Sequence, residues 1–283
     1  MSDAASSTPA PARAWRVAPS PWVAAVVFVA YVVLANGVQL ASGVPYSEFF
    51  ASAENAWRSA VLSLAVGGAM LLAFVAWSRW DGIWRDAGRL TMTRAMWIAP
   101  AVMIVLMLIR LSYKLSSSVP VDLLFAIVMA GIGVGLVEEL LFRGIVLRSL
   151  RMHGRSEAWA MLLTSVWFGA MHLTNALLGT PIWAAIFQAT IAGITGMTLY
   201  QFRRGTGLIV TGMVIHGLWD ISAFLPTGNA VGFAGNFELV SLVILPIVGI
   251  ISGVAVFRHD RQITMTSEGP APMPKLSPAT SNG

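Results

Sequence analysis

The chain has 283 residues and a mass of 30.2 kDa; 57% of its residues are hydrophobic, 11% are charged, and the mean hydropathy is +0.74. A soluble domain carries roughly 25% charged residues, so this chain has too little charge to coat a water-facing surface, and the same figures exclude disorder for its bulk. Cysteine is absent, which removes disulfides, thiolate metal sites and a cysteine nucleophile. The formal charge is +5, and sixteen of the eighteen cationic side chains are Arg. In so apolar a chain this excess reads as a membrane-topology signal rather than a nucleic-acid surface. The medium is membrane lipid, and no nucleic-acid partner is expected.

Residues 1–20, rich in Ala, Ser and Pro, read as a disordered tail. Eight apolar stretches follow, at about 22–41, 60–77, 95–109, 123–147, 158–175, 182–200, 207–225 and 239–257. Each approaches the roughly 20 residues a helix needs to cross the hydrocarbon layer. The third and fifth are short enough to leave seven spans open. The first is too long for a signal-peptide core and reads as a retained anchor. No ten-residue stretch alternates with period two again and again, so a β-barrel is not supported. The expected fold is all-α, a polytopic transmembrane helical bundle of about eight spans.

With Arg143 left aside, alternating the spans puts fourteen Lys and Arg residues in the inside segments, from Arg13 and Arg16 through Arg203 and Arg204 to Arg258, Arg261 and Lys275. Only Arg58, Arg110 and Lys114 fall outside. Positive-inside sorting then places both termini in the cytoplasm, in a multi-pass protein of the inner (cytoplasmic) membrane. Trp22, Trp57, Trp77, Trp80, Trp97, Trp159 and Trp183 fall at span ends, as an interfacial belt requires. The chain divides into the tail 1–20, N-terminal helices 21–118, a core 119–226, a last helix 227–258 and a Pro-rich disordered tail 259–283.

A charged group inside a bilayer costs a few kcal/mol even on lenient insertion scales, so it marks a functional site by default. Such groups gather in VEELLFRG (137–144), FGAMH (168–172) and HGLWD (216–220). Each helical residue advances 100°, so Glu138 and Glu139 cannot aim at one point. Arg143, four residues on, pairs with Glu139 along one face and leaves Glu138 free. His172 follows Phe168 by four residues, and Asp220 follows His216 by four. The second pair suits a carboxylate orienting an imidazole, two ligands of one metal, or a proton relay. Counted at 1.5 Å per residue, Glu138, His216 and His172 lie ~15, ~13 and ~18 Å from the inner boundary. One buried cluster of Glu138, His172, His216 and Asp220 is therefore expected, with Glu139 and Arg143 in support. Gly131, Gly133 and Gly135 lack a strand–turn–helix context and read as sites of close helix approach. Gln188, Thr190, Thr195 and Thr198 read as interhelical hydrogen-bonding groups.

Taken together, EELLFR, FGAMH and HGLWD resemble the CAAX-protease and bacteriocin-processing family of intramembrane proteases, over roughly residues 120–225. The resemblance implies a helical bundle with a cavity opening toward the cytoplasm, and hydrolysis of a peptide bond within the membrane. It casts Glu138 as the residue that activates water, with His172, His216 and Asp220 completing the site and Glu139, Arg143 and Phe168 supporting it. Asp220 stands where the prenyl-processing members carry Asn. An ionised Asp cannot donate to an oxyanion as an Asn amide can. Asp220 must then be protonated, orient His216, or bind a metal.

The expected activity is that of a glutamate-dependent endopeptidase acting on a peptide or membrane protein. It works with no cofactor, or with a divalent metal such as Zn held by His172, His216 and Asp220. The rival classes are a proton-coupled transporter, which would show proton-linked flux, and a non-catalytic scaffold or immunity factor. The Ala- and Arg-rich, Lys-poor composition points to a high-GC bacterial genome, so a prenylated substrate does not follow from the motifs.

Overall fold

The computed structural model describes residues 15–115, 118–227 and 231–267. Among these the chain is a bundle of helices. Seven are long and apolar enough to cross a membrane: α1 Pro21–Ser42, α2 Ala53–Ser78, α3 Arg94–Lys114, α4 Val121–Met152, α5 Glu157–Leu178, α6 Ile182–Thr206 and α8, whose apolar part is Gly235–Gln262. Between the last two lies α7, Ile209–Phe224. Its 16 residues reach only ~24 Å at 1.5 Å per residue, less than the ~30 Å hydrocarbon thickness. The short member of the eight is therefore the seventh, not the third or fifth, whose helices have 21 and 22 residues. A residue count made on apolar letters alone shortens α3 and α5, because their ends carry Arg94, Lys114 and Asn175.

Local sequence sets the helix limits. Ser20 caps α1 by accepting from the Val23 amide, Pro21 fills the first helical position, and Gly43 ends it in the left-handed conformation at φ 67°. Arg79 closes α2 at φ 62°, the one non-glycine residue with positive φ among the described residues. Two helices carry a π segment, Trp57–Val61 in α2 and Leu140–Val146 in α4. Pro246 lies inside α8.

Successive helices run in opposite directions, giving the bundle two chemically different ends. At one, the Arg16 amide donates to Ser78 O, Trp80 Nε1 donates to Val17 O, and the 79–93 loop reaches Arg151, Arg203 and Gly207. Asp260 of α8 closes this end by accepting from the Ala158 amide at 2.7 Å. At the other end Arg58 donates to Ser42 O, Gln188 to the Tyr46 hydroxyl and Lys114 to Ala223 O, while Phe50 stacks on Phe224 with ring centroids 4.1 Å apart. The start of α1 and the finish of α8 thus share the arginine-rich end. Of the two segments read as tails, residues 1–14 and 268–283 lie outside the described residues. Residues 15–20 lead into α1, and α8 continues to Ser267.

Candidate active site

The four helices α4–α7 bring the three motifs together. Glycine makes this possible. A Cβ on Gly131 would meet Ile221 and, at 2.8 Å, Gly217 O; one on Gly217 would meet Gly131 O at 2.7 Å. A side chain on Gly135 would strike the Met213 carbonyl, and one on Gly212 would lie 2.7 Å from Glu139 Oε2. With no side chains between them, the backbones of α4 and α7 nearly touch, and His216 comes to lie beside both glutamates. Gly133 faces the other way, onto Leu64 of α2.

Glu139 and Arg143 are fully buried. Arg143 Nη1 donates to Glu139 Oε1 at 2.9 Å, as the four-residue spacing predicts, and its Nη2 donates to Gly196 O of α6 at 2.9 Å. The guanidinium lies over the Phe168 ring, 4.6 Å from its centroid. The Phe168 ring also contacts His172 and His216 edge-on, at 5.0 and 5.6 Å between centroids. Phe168 is thus the apolar post around which the charged groups are arranged. Arg143 sits within the π segment that follows the glutamates, and Arg203 Nη1 donates to its carbonyl oxygen at 3.2 Å.

His216 corrects one expectation. Its Nδ1 is paired with Glu139 Oε1 at 3.0 Å, while Asp220 Oδ2 lies 3.8 Å from Nε2. The carboxylate that orients this imidazole is Glu139, which sequence spacing had assigned to Arg143 alone. Asp220 faces the opposite nitrogen. A carboxylate only accepts, so Nδ1 carries the proton in that bond. Glu138 Oε2 also lies 3.8 Å from His216 Nε2 and has no hydrogen-bond partner within the protein. Nε2 is therefore flanked by two carboxylate oxygens, each at 3.8 Å, within ion-pair range but beyond a hydrogen bond.

His172 stands apart from these ion pairs. Its Nδ1 lies 2.9 Å from Phe168 O, and because a carbonyl only accepts, Nδ1 is the protonated nitrogen. Nε2 is left bare and able to accept. What unites His172 with Glu138 and Asp220 is a cavity of about 380 Å³ lined by all three, together with Tyr31, Asn36 and Asn175. A second cavity of about 290 Å³ reaches His172, His216 and Asp220 from between α6 and α8. His172 and Asp220 form part of the wall between them.

Sequence reasoning did not reach the polar wall of the first cavity. Gln188 does more than join helices: it accepts from Asn175 at 2.9 Å and donates to Tyr46 at 2.8 Å, and all three residues line the chamber. Thr190 bonds only its own helix, at Ile186 O. Among the described residues no group of three or more His, Asp or Glu side chains is arranged to hold a metal ion. In the triad His172, His216 and Asp220, both imidazoles commit Nδ1, to Phe168 O and to Glu139, and leave Nε2 as the nitrogen open to another partner. The chamber's lining belongs to the half of the bundle away from the arginines.

None of the curated proteins matches the chain significantly. A family match does exist, and it covers the helices just described. Residues 120–222, which hold all three motifs, match the family described as Rce1-like, type II CAAX prenyl endopeptidase, so this part of a multi-pass membrane protein is similar to the CAAX-type intramembrane proteases.

Proposed function

We propose that the chain is an intramembrane endopeptidase in which Glu138 activates the attacking water. The observation that carries this reading is the buried Oε2 of Glu138, which makes no hydrogen bond and lies on a chamber shared with His172 and Asp220, 3.8 Å from His216 Nε2. Glu139, by contrast, is held through Oε1 by both Arg143 and His216.

The roles follow from donor and acceptor inventories. A water between Glu138 and His172 donates one hydrogen to the carboxylate and one to the bare Nε2 of His172, which leaves its lone pair for a carbonyl carbon. Attack breaks the O–H bond toward Glu138 and forms the C–O bond. The proton then passes from Glu138 to the departing amine as the C–N bond breaks, so water is consumed and nothing is oxidised or reduced. His216, held by Glu139, presents Nε2 to the developing oxyanion. In its doubly protonated form it is the donor that an oxyanion requires. Arg143 stays behind Phe168 and acts through Glu139, as a positioning residue. No step requires a metal.

The test compares the membrane proteomes of cells carrying the wild-type chain and Glu138→Gln, reading newly formed protein termini. A general base contributes roughly 10²–10⁴ in rate, so cleavage products should fall by at least about a hundredfold while the variant keeps its abundance and thermal midpoint. Undiminished cleavage by Glu138→Gln ends the assignment. Loss of a proton-linked flux with no change in any terminus would instead establish the transporter class.

A further inference from the structure

Three observations bear on which membrane face the chamber serves. The first is its lining. Asn36, Gln39, Tyr46, Thr174, Asn175 and Gln188 line its polar wall. They come from the last turns of α1 and α5, the first turns of α6 and the loop after α1, all at the end of the bundle opposite the arginines. Glu138 and Tyr31 form its deepest points, near the middle of their helices.

The second is the floor. Below Glu138 toward the arginine-rich end, Leu140, Leu141, Phe142, Ile145 and Val146 are all at 0% exposure, as are Trp80 and Ile83 of the loop beneath them. That loop is held by Arg203, which donates to Asp86 Oδ1 at 2.6 Å and to Ile83 O at 2.8 Å, and by Arg151, which donates to Asp86 at 3.1 Å. A packed layer of this density passes neither peptide nor water.

The third is charge. Twelve described arginines lie at the floor end: Arg16, Arg79, Arg85, Arg89, Arg94, Arg148, Arg151, Arg155, Arg203, Arg204, Arg258 and Arg261. The mouth end holds Arg58, Arg110 and Lys114. Positive-inside sorting turns the arginine-rich end toward the cytoplasm.

We propose that the catalytic chamber opens to the outer face of the membrane, so that its substrate is an exported peptide or the outward juxtamembrane stretch of a membrane protein. A lipid-modified tail in the cytoplasm faces the sealed floor. The substrate half of this statement rests on the protease reading, while the side of access does not.

The absence of cysteine makes the native chain its own background for accessibility labelling. Single variants Gln39→Cys and Thr174→Cys report the chamber mouth, Ser47→Cys the mouth-end loop, and Arg155→Cys the arginine-rich end. Each full-length variant is treated with a membrane-impermeant sulfonated maleimide, in spheroplasts and separately in inverted vesicles. Gln39→Cys, Thr174→Cys and Ser47→Cys should label in spheroplasts at least tenfold faster than in inverted vesicles, with Arg155→Cys showing the reverse. Labelling of Gln39→Cys and Thr174→Cys only in inverted vesicles, or from neither side, overturns the proposal. The labels do not depend on turnover, so failure of Glu138→Gln to abolish cleavage would remove the protease reading and leave the access result standing. In the proteome comparison the new termini should map to outward segments, and termini confined to cytoplasmic segments would refute the substrate class.

Discussion

Two buried ionic clusters in this bundle use the same residue types to opposite ends. At the arginine-rich end, both oxygens of Asp86 are occupied, Oδ1 by Arg151 and Arg203 and Oδ2 by Arg203 at 3.3 Å, and Glu157 takes Arg151 at 2.8 Å. In the middle of the membrane, Arg143 and His216 both turn to one oxygen of Glu139, and Glu138 Oε2 is left with no hydrogen bond. The first cluster is matched group for group and clamps a loop. The second leaves Glu138 Oε2, Glu139 Oε2 and Arg143 Nε without hydrogen bonds, and of these three residues Glu138 is the one that lines the chamber. Burial and charge alone do not separate scaffold from chemistry; a buried oxygen that both lacks a hydrogen bond and lines a cavity does.

The sharpest way to break this contrast is to remove the cation from the central cluster. Arg143→Met leaves Glu139, at 0% exposure, with only His216 for company. Stranding a buried charge typically costs ~3–5 kcal/mol. Thermal unfolding in detergent should therefore show a large drop in midpoint. A midpoint within the error of wild type would mean that Arg143 does not neutralise Glu139.

Next in size is the helix contact that brings the cluster together. Gly135→Ala drives a methyl into the Met213 carbonyl and to 3.0 Å from the Gly217 amide. Overpacking of this kind costs ~1–3 kcal/mol, and moving His216 off Glu138 should lower cleavage by about tenfold or more. Gly133→Ala is the control, since the three atoms nearest its methyl all belong to Leu64 of α2, with Cβ at 3.1 Å, and none to α7. It should keep its activity. Equal losses in both variants would show that the glycines serve general packing and not the α4–α7 register.

These residues also mark how far the sequence could be read. The Glu139–Arg143 pair follows from a four-residue spacing along one helix, and the common depth of Glu138, His172 and His216 from helix rise. Both are one-dimensional properties. The Glu139–His216 bond was not legible, because it depends on how far α7 rotates and how closely it approaches α4, set by Gly131, Gly135, Gly212 and Gly217 jointly. The π segment at Leu140–Val146 was equally hidden, since no propensity signal separates it from the surrounding α-helix. The direction of the chamber escaped for a third reason: it is decided by Tyr46, Asn175 and Gln188 at one end and by the packed 79–93 loop at the other. Those segments carry no catalytic letters.

A smaller effect belongs to the matched cluster. Burial alone would raise the Asp86 carboxyl, but the hydrogen bond from Arg203 and the positive charges of Arg151 and Arg203 hold it below the usual carboxylate range. A group whose native pKa is depressed adds stability that is complete above its unfolded pKa and is lost as pH falls through the native one. Asp86→Asn should therefore cost ~1–2 kcal/mol at neutral pH. The gap to wild type should close in acid, below the ordinary carboxylate range. Cleavage per folded molecule should not change, because Asp86 does not line the chamber. A pH-independent gap would assign the effect to packing.

The smallest effect is expected at Asp220. Glu139 already orients His216 through Nδ1, so Asp220, 3.8 Å from Nε2, is not needed to aim the ring. Asp220→Asn keeps the size and a hydrogen-bonding tip, and it adds an amide donor on a chamber wall where the oxyanion forms. Its cleavage rate should stay within about tenfold of wild type, equivalent to ~1.4 kcal/mol. Asp220→Leu, which removes both acceptor and donor from that wall, should lose more. A collapse of activity in Asp220→Asn, as large as in Glu138→Gln, would mean that the carboxylate itself carries a proton in the reaction. The central cluster would then contain two working acids where the geometry supports one.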